Sequence, residues 1–254
     1  MEAFCIVWTL AVFLAVGAWF LNGIRQSPYT PTQTLLYFVN VAFTRLLWRA
    51  ELPDNLPLGR DEGAVIIANH RSSVDPLFIQ VTAQRQVHWL VAAEFAKIKF
   101  IDWLYRFTGA IPTSRSGRDT KATKTAIRIT QNGGLVGMFP EGTINTTDDL
   151  MLKVRPGAIM VAIKAGVPVL PCYLHGSPYS ENVLAPLFMT ARTKLSIGEP
   201  ISMQPYQSAD DEKGALRAAT LKCVKAIADL AGQPEFEPEM AGRRWLEREA
   251  SNDE

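Results

Sequence analysis

The chain has 254 residues, 48% of them hydrophobic and 20% charged, ample for one α/β domain of ordinary size and too apolar for a disordered chain. Lys and Arg number 26 against 25 Asp and Glu, a net charge of +1, which argues against a dedicated nucleic-acid binder. Cys5, Cys172 and Cys223 are widely spaced and odd in number, which argues against a disulfide scaffold or a cysteine zinc site and suits a reducing compartment.

Ala3–Leu21 reads AFCIVWTLAVFLAVGAWFL, with Thr9 its only polar residue. As a helix it reaches about 28 Å, close to a hydrocarbon core of roughly 30 Å. It is apolar on every face, unlike a core helix, and lacks the basic leader of a cleaved signal. The expectation is a retained anchor, spanning the bilayer or lying in one leaflet. Arg25 follows the run and nothing basic precedes it, which predicts the remaining chain on the cytoplasmic face of the cell membrane. Thr32–Trp48 has helical periodicity, with Leu35, Leu36, Val39, Phe43, Leu46 and Leu47 on one stripe and Gln33, Tyr37, Asn40 and Thr44 on the other. Its apolar stripe suits either a bilayer or the soluble domain, and Arg45 and Arg49 suit anionic head groups. Residues 1–50 are thus expected to form an anchor and an amphipathic helix.

From residue 51 to residue 231 the pattern alternates. Ala64–Ala68, Val87–Ala92, Gly109–Thr113, Leu135–Phe139, Val167–Leu174 and Thr193–Gly198 read as strands. Asp75 opens a helix as its N-cap, with Pro76 at the first helical position. Glu94–Phe107, Arg118–Gln131, Gly157–Ala165 and Ala215–Ala231 read as further helices. This order predicts an α/β domain with a mixed, largely parallel sheet flanked by helices and preceded by N-terminal membrane-associating helices. Residues 232–254 carry seven acids against three Arg and are expected to be a solvated acidic tail. The basic bias of Arg85–Arg128 fits either a solvated helix face or anionic lipid and acyl-carrier phosphates.

The chemistry centres on Asn69-His70-Arg71-Ser72-Ser73-Val74-Asp75-Pro76. A loop leaving a buried strand to start a helix lies at the carboxyl edge of the sheet, where α/β proteins place ligands. His70 can take a proton near neutral pH, and Asp75 can fix its tautomer through one ring nitrogen. The pair suits activation of a hydroxyl for attack on a thioester; the plainer reading makes both residues loop and helix caps. His88, in mid-strand, reads as structural, and so does His175 at a strand end.

Three further stretches follow in order: Gly109-Ala110-Ile111-Pro112-Thr113-Ser114-Arg115, Phe139-Pro140-Glu141-Gly142-Thr143 and Val167-Pro168-Val169-Leu170-Pro171. With these four blocks the chain, over roughly Ala64–Gly198, resembles the glycerolipid acyltransferase family of the lysophosphatidic acid (1-acylglycerol-3-phosphate) type. The resemblance implies His70 as general base oriented by Asp75. It implies Arg115 as a two-pronged anion binder, and Glu141 and Gly142 as residues that place the acceptor's glycerol part. Arg155 stands where the family usually has a lysine and adds to the anion site. The family uses neither metal nor other cofactor and forms no covalent acyl-enzyme. Acyl-CoA or acyl-carrier protein is the implied co-substrate, and a lyso-lipid in the membrane the acceptor. Two departures stand out. Ile144-Asn145 occupies the place of a common arginine, and Ala93 that of a frequent lysine, so the acceptor is lysophosphatidic acid or a lyso-lipid with another head group. The competing classes are a lipid or thioester hydrolase with Ser72 or Ser73 as nucleophile, and a non-catalytic lipid-binding protein.

Overall fold

The computed structural model describes residues 2–26, 29–94, 99–114 and 120–241. Its described strands form one six-stranded sheet. β1 (Ala64–Ala68), β2 (Val87–Ala92), β3 (Ile111–Thr113), β4 (Leu135–Met138), β5 (Val169–His175) and β6 (Lys194–Ile197) lie in the order β3-β2-β4-β1-β5-β6. Every neighbouring pair is parallel except β5 and β6, so the sheet is mixed and largely parallel, as expected. The central strand β1 is buried at every residue, which explains an AVIIA run with no polar alternation: both faces are covered.

Along β1, Val65 and Ile67 face one way with Val136 and Val169, under α5 (Thr120–Gln131), α6 (Gly157–Ala165) and α7 (Glu212–Leu230). Ile66 and Ala68 face the other way with Leu135, Leu170 and Cys172. There Phe78 and Ile79 of α3 (Asp75–Ala83) and the buried Trp48 cover them. β1, β2 and α6 have the bounds read from the sequence. Elsewhere local hydrogen bonds trim the elements. Ala110 donates its N–H to Tyr105 O at the end of α4 (Lys99–Thr108), which delays β3 to Ile111. Val167 N–H closes onto Ala162 O of α6, so β5 starts at Val169. α7 starts at Glu212, because Asp211 accepts the Gly214 N–H at 2.9 Å as an N-cap.

The N-terminal helices depart from expectation. α1 (Glu2–Gln26) exposes Phe4, Ile6, Val7, Trp8, Val12, Phe13, Leu14 and Val16. Among the described residues, however, no helix is long and apolar enough to cross a membrane. α2 (Pro31–Ala42) runs into a π-helical turn at Phe43–Leu47; Phe43 and Leu47 of the turn pack on the core as an apolar stripe would, but along α2 itself polar residues are packed inward. Thr34, Asn40 and Thr44 are buried, while Leu35, Val39 and Leu46 are exposed, Leu46 at 79%. Polar partners on the domain explain the inversion. Asn40 Nδ2 donates to Leu77 O at 2.9 Å, Tyr37 OH to Val81 O at 3.2 Å, and Gln33 Nε2 to Phe107 O at 2.9 Å.

The acidic tail also begins differently. Residues 232–241 lie on the domain: Phe236 and Met240 pack against the core, and Val154 N–H donates to Glu239 O at 2.8 Å. Two apolar anchors among three acids outweigh the composition that suggested solvent. Residues 242–254 lie outside the described residues.

Candidate active site

The site forms where β1, β4 and β5 end. Asn69, buried, donates Nδ2 to Leu174 O at 2.9 Å and accepts Leu174 N–H at 2.8 Å. That clamp carries the β1 register one residue past the strand and fixes where the next side chain emerges. His70 emerges there with Nδ1 3.0 Å from Asp75 Oδ2. The same oxygen accepts the N–H groups of Arg71 and Ser72, each at 2.7 Å. Val74, not Asp75, is the N-cap. As the first residue of α3, Asp75 turns its carboxylate back onto the preceding loop, which is how one side chain both orders that loop and meets the imidazole. With Nδ1–H donated to the carboxylate, Nε2 is the nitrogen left as a base. The His70 side chain is 16% exposed and that of Asp75 fully covered. The imidazole therefore reaches solvent while the carboxylate stays covered.

The imidazole is also held by stacking. Its ring lies on Phe139 at a centroid distance of 3.8 Å and an angle of 6°, and Phe139 lies on Trp89 at 4.8 Å and 18°. His70 and Phe139 stand just past the ends of β1 and β4, and Trp89 is in β2, the next strand along the sheet. Gly137 makes room: a Cβ there would stand 2.5 Å from the Trp89 ring.

Glu141 sits differently from the expectation. It is 4% exposed, and its two carboxylate oxygens accept the N–H groups of His70 at 2.7 Å and Leu152 at 2.8 Å. Burial pushes its carboxyl above the usual carboxylate range, and the two backbone hydrogen bonds pull the other way. It positions the histidine loop; its oxygens are aimed at backbone, not at an open acceptor pocket. Gly142 has φ +71° in a turn closed by its N–H on Phe139 O at 3.0 Å, which disfavours any side chain there. Arg155 lies across it, with Cδ, Nε and Cζ 3.8–3.9 Å from where a Cβ would stand. Arg155 is exposed. Arg115 lies outside the described residues.

At the expected arginine position, Ile144 leads into Asn145, which is buried and donates its N–H to His70 O at 2.7 Å. Arg71 spends its guanidinium on this loop, bonding Asn145 O at 3.3 Å, Asp149 O at 2.7 Å and Thr147 O. Ser72 is fully buried with its Oγ accepting Val74 N–H at 3.3 Å, and Ser73 Oγ donates to Val183 O at 2.7 Å. Neither hydroxyl is placed as a nucleophile on the imidazole, which removes the observation behind a hydrolase. His88 Nδ1 lies 2.8 Å from Gly109 O, a structural contact, and His175 is exposed at the end of β5. Cys172 and Cys223 are buried free thiols; burial raises both, Cys223 to about 12, so neither supplies a thiolate at neutral pH. The sequence places Asn69 and Phe139 within its motifs and Trp89 in a strand, but assigns none of the three a role. The available signal was the strand period, which puts Phe139 on the face of Gly137, two residues on.

A histidine thus meets a buried carboxylate at the carboxyl edge of this sheet, and comparison with known proteins gives the class of enzyme: an acyltransferase. Residues 49–175 match the Acyltransferase family, and the chain belongs to that glycerolipid acyltransferase family. It is 32% identical over 178 residues to the 1-acyl-sn-glycerol-3-phosphate acyltransferase of Bacillus subtilis, covering 70% of this chain and 84% of that protein. It is 37% identical over 112 residues to the enzyme of the same name from Haemophilus influenzae, covering 42% of this chain and 46% of the relative. The crystal structure of the 1-acyl-sn-glycerophosphate (LPA) acyltransferase PlsC from Thermotoga maritima shares the fold. Its TM-score is 0.57 at 22% identity, over 89% of this chain and 92% of that one.

Proposed function

We propose that the protein is a membrane-associated enzyme of phospholipid biosynthesis that moves a fatty acyl group from acyl-CoA or acyl-carrier protein to the hydroxyl of a lyso-glycerolipid. Lysophosphatidic acid is the first acceptor to test. The observation that carries the reading is the 3.0 Å contact between His70 Nδ1 and the covered Asp75 carboxylate, with the imidazole partly open. Nε2 takes the hydroxyl proton as the oxygen attacks the thioester carbonyl, and Asp75 stabilises the imidazolium that forms. Collapse of the tetrahedral species breaks the C–S bond, and the proton passes from His70 to the leaving thiolate. This route needs no covalent intermediate, metal ion or cofactor. Arg155 over Gly142 offers an exposed guanidinium to the acceptor's anionic group; Arg115 is the second candidate. The names of the Bacillus and Haemophilus relatives support the choice of acceptor.

The inverted α2 supports membrane association: a helix with its polar face on protein and leucines outward finds its apolar partner in lipid. The apolar surface of α1 points to the same solvent, and Arg25 after it favours a domain on the cytoplasmic face. Incubation with labelled acyl-CoA and lysophosphatidic acid in vesicles is expected to give the diacyl product. His70→Ala is expected to lower the rate by about two to four orders of magnitude. A wild type that acylates no lyso-lipid, or a variant with near-normal turnover, overturns the reading.

A further inference from the structure

We propose that residues 236–241, after α7, are a brace for the arm Leu152–Arg155, which makes this segment a positioning element for acceptor recognition. The arm belongs to none of the six strands and is gripped from two sides. On the inner side, Leu152 N–H donates to Glu141 Oε2 at 2.8 Å and Arg155 N–H to Pro140 O at 2.9 Å. On the outer side, Val154 N–H donates to Glu239 O at 2.8 Å and Ala241 N–H to Val154 O at 2.9 Å, a parallel bridge of Val154 with Met240.

The outer grip is itself anchored. Phe236 and Met240 pack on the core beside the fully buried Val154, and Lys225 Nζ donates to Phe236 O at 2.9 Å. Glu239 Oε2 lies 2.9 Å from Lys153 Nζ, so one cation of the arm is paired. Arg155 has no ion-pair partner among the described residues. The brace thus holds the backbone on which that free guanidinium stands.

The recognition role rests on the function proposed above; the mechanical role does not. Ala241→Pro in the full chain deletes the donor to Val154 O, and Met240→Ala removes packing while keeping the backbone bonds. Hydrogen exchange read by mass spectrometry is expected to speed about tenfold in peptides covering residues 151–156 of Ala241→Pro, with α7 and β1 unchanged. Unchanged exchange there, or faster exchange throughout the domain, overturns the brace; should the proline variant fail to fold, Met240→Ala is read by the same standard. In kinetics, KM for the lyso-lipid is expected to rise severalfold with kcat within twofold. In an Arg155→Ala background the same change is expected to add nothing. Additive effects overturn the recognition role. A wild type without acyl transfer overturns the function and that role together, and exchange still decides the brace.

Discussion

Gly137→Ala tests the ring stack that supports the His70 imidazole. A Cβ at Gly137 would stand 2.5 Å from Trp89 Cδ2 and Cε3 and 2.7 Å from Cε2. Carbon atoms settle at about 3.5–4.0 Å, so the indole must retreat by about 1 Å. Trp89 is 6% exposed with Phe139 stacked 4.8 Å away and the His70 ring beyond it at 3.8 Å, which leaves retreat only at the expense of the stack. Overpacking of this kind costs about 1–3 kcal/mol. Replacing a strand glycine by alanine returns about 0.5–1 kcal/mol, so the net loss is about 0–2.5 kcal/mol. Urea denaturation measures it, and the double variant Gly137→Ala/Trp89→Leu separates the two contributions. With the indole gone the clash vanishes, and a coupling of at least about 1 kcal/mol is expected. A displaced imidazole also lowers kcat/KM, by roughly 10- to 100-fold. A Gly137→Ala protein with unchanged midpoint and full activity, or the same loss in the Trp89→Leu background, would refute the account.

Asp75→Asn should keep the loop but lose the charge. Only its oxygen can occupy the Oδ2 place facing two N–H groups, which puts an NH2 where Oδ1 is buried without a hydrogen-bond partner; turnover is expected to drop about 10²–10⁴-fold and stability by about 1–3 kcal/mol, read by assay and denaturation. Ser72→Ala removes only the 3.3 Å contact to Val74 and should leave turnover within about twofold; an inactive, folded variant would reinstate a serine nucleophile. Glu141 gives a pH test. Its carboxyl is raised by burial, so the folded chain binds a proton there that the unfolded chain has released. Its contribution to stability is fully present below the unfolded value and is lost as pH rises through the folded one. The stability of the wild type relative to Glu141→Gln, followed by urea midpoints, should therefore decline with rising pH across that window; the opposite slope would refute the burial argument.

The sheet was legible because its central strands are covered on both faces, and runs such as AVIIA have few other homes. His70 and Asp75 were legible because the loop between them is short. What escaped depends on contacts between distant residues. Glu141 meets the His70 N–H across 71 positions, and nothing in Phe-Pro-Glu-Gly says that its oxygens point at backbone. The direction of α2 escaped for the same reason: periodicity separates two stripes but does not say which one the domain receives. Here the carbonyls of Leu77 and Val81, on α3, select the polar one. The tail misled because acid count outweighed two apolar residues, Phe236 and Met240, that find the core.

α3 has two attachments at once. Its first residue, Asp75, faces the imidazole, and the carbonyls of Leu77 and Val81 are bolted to Asn40 and Tyr37 of the inverted helix. Those bolts are directional, whereas greasy packing would slide. A single stiff rod of nine residues therefore sets how far the His70 imidazole stands from the outward leucines. In the proposed function, where those leucines enter lipid, the depth at which an acceptor's hydroxyl is met is a built-in length, not the outcome of a wandering tether.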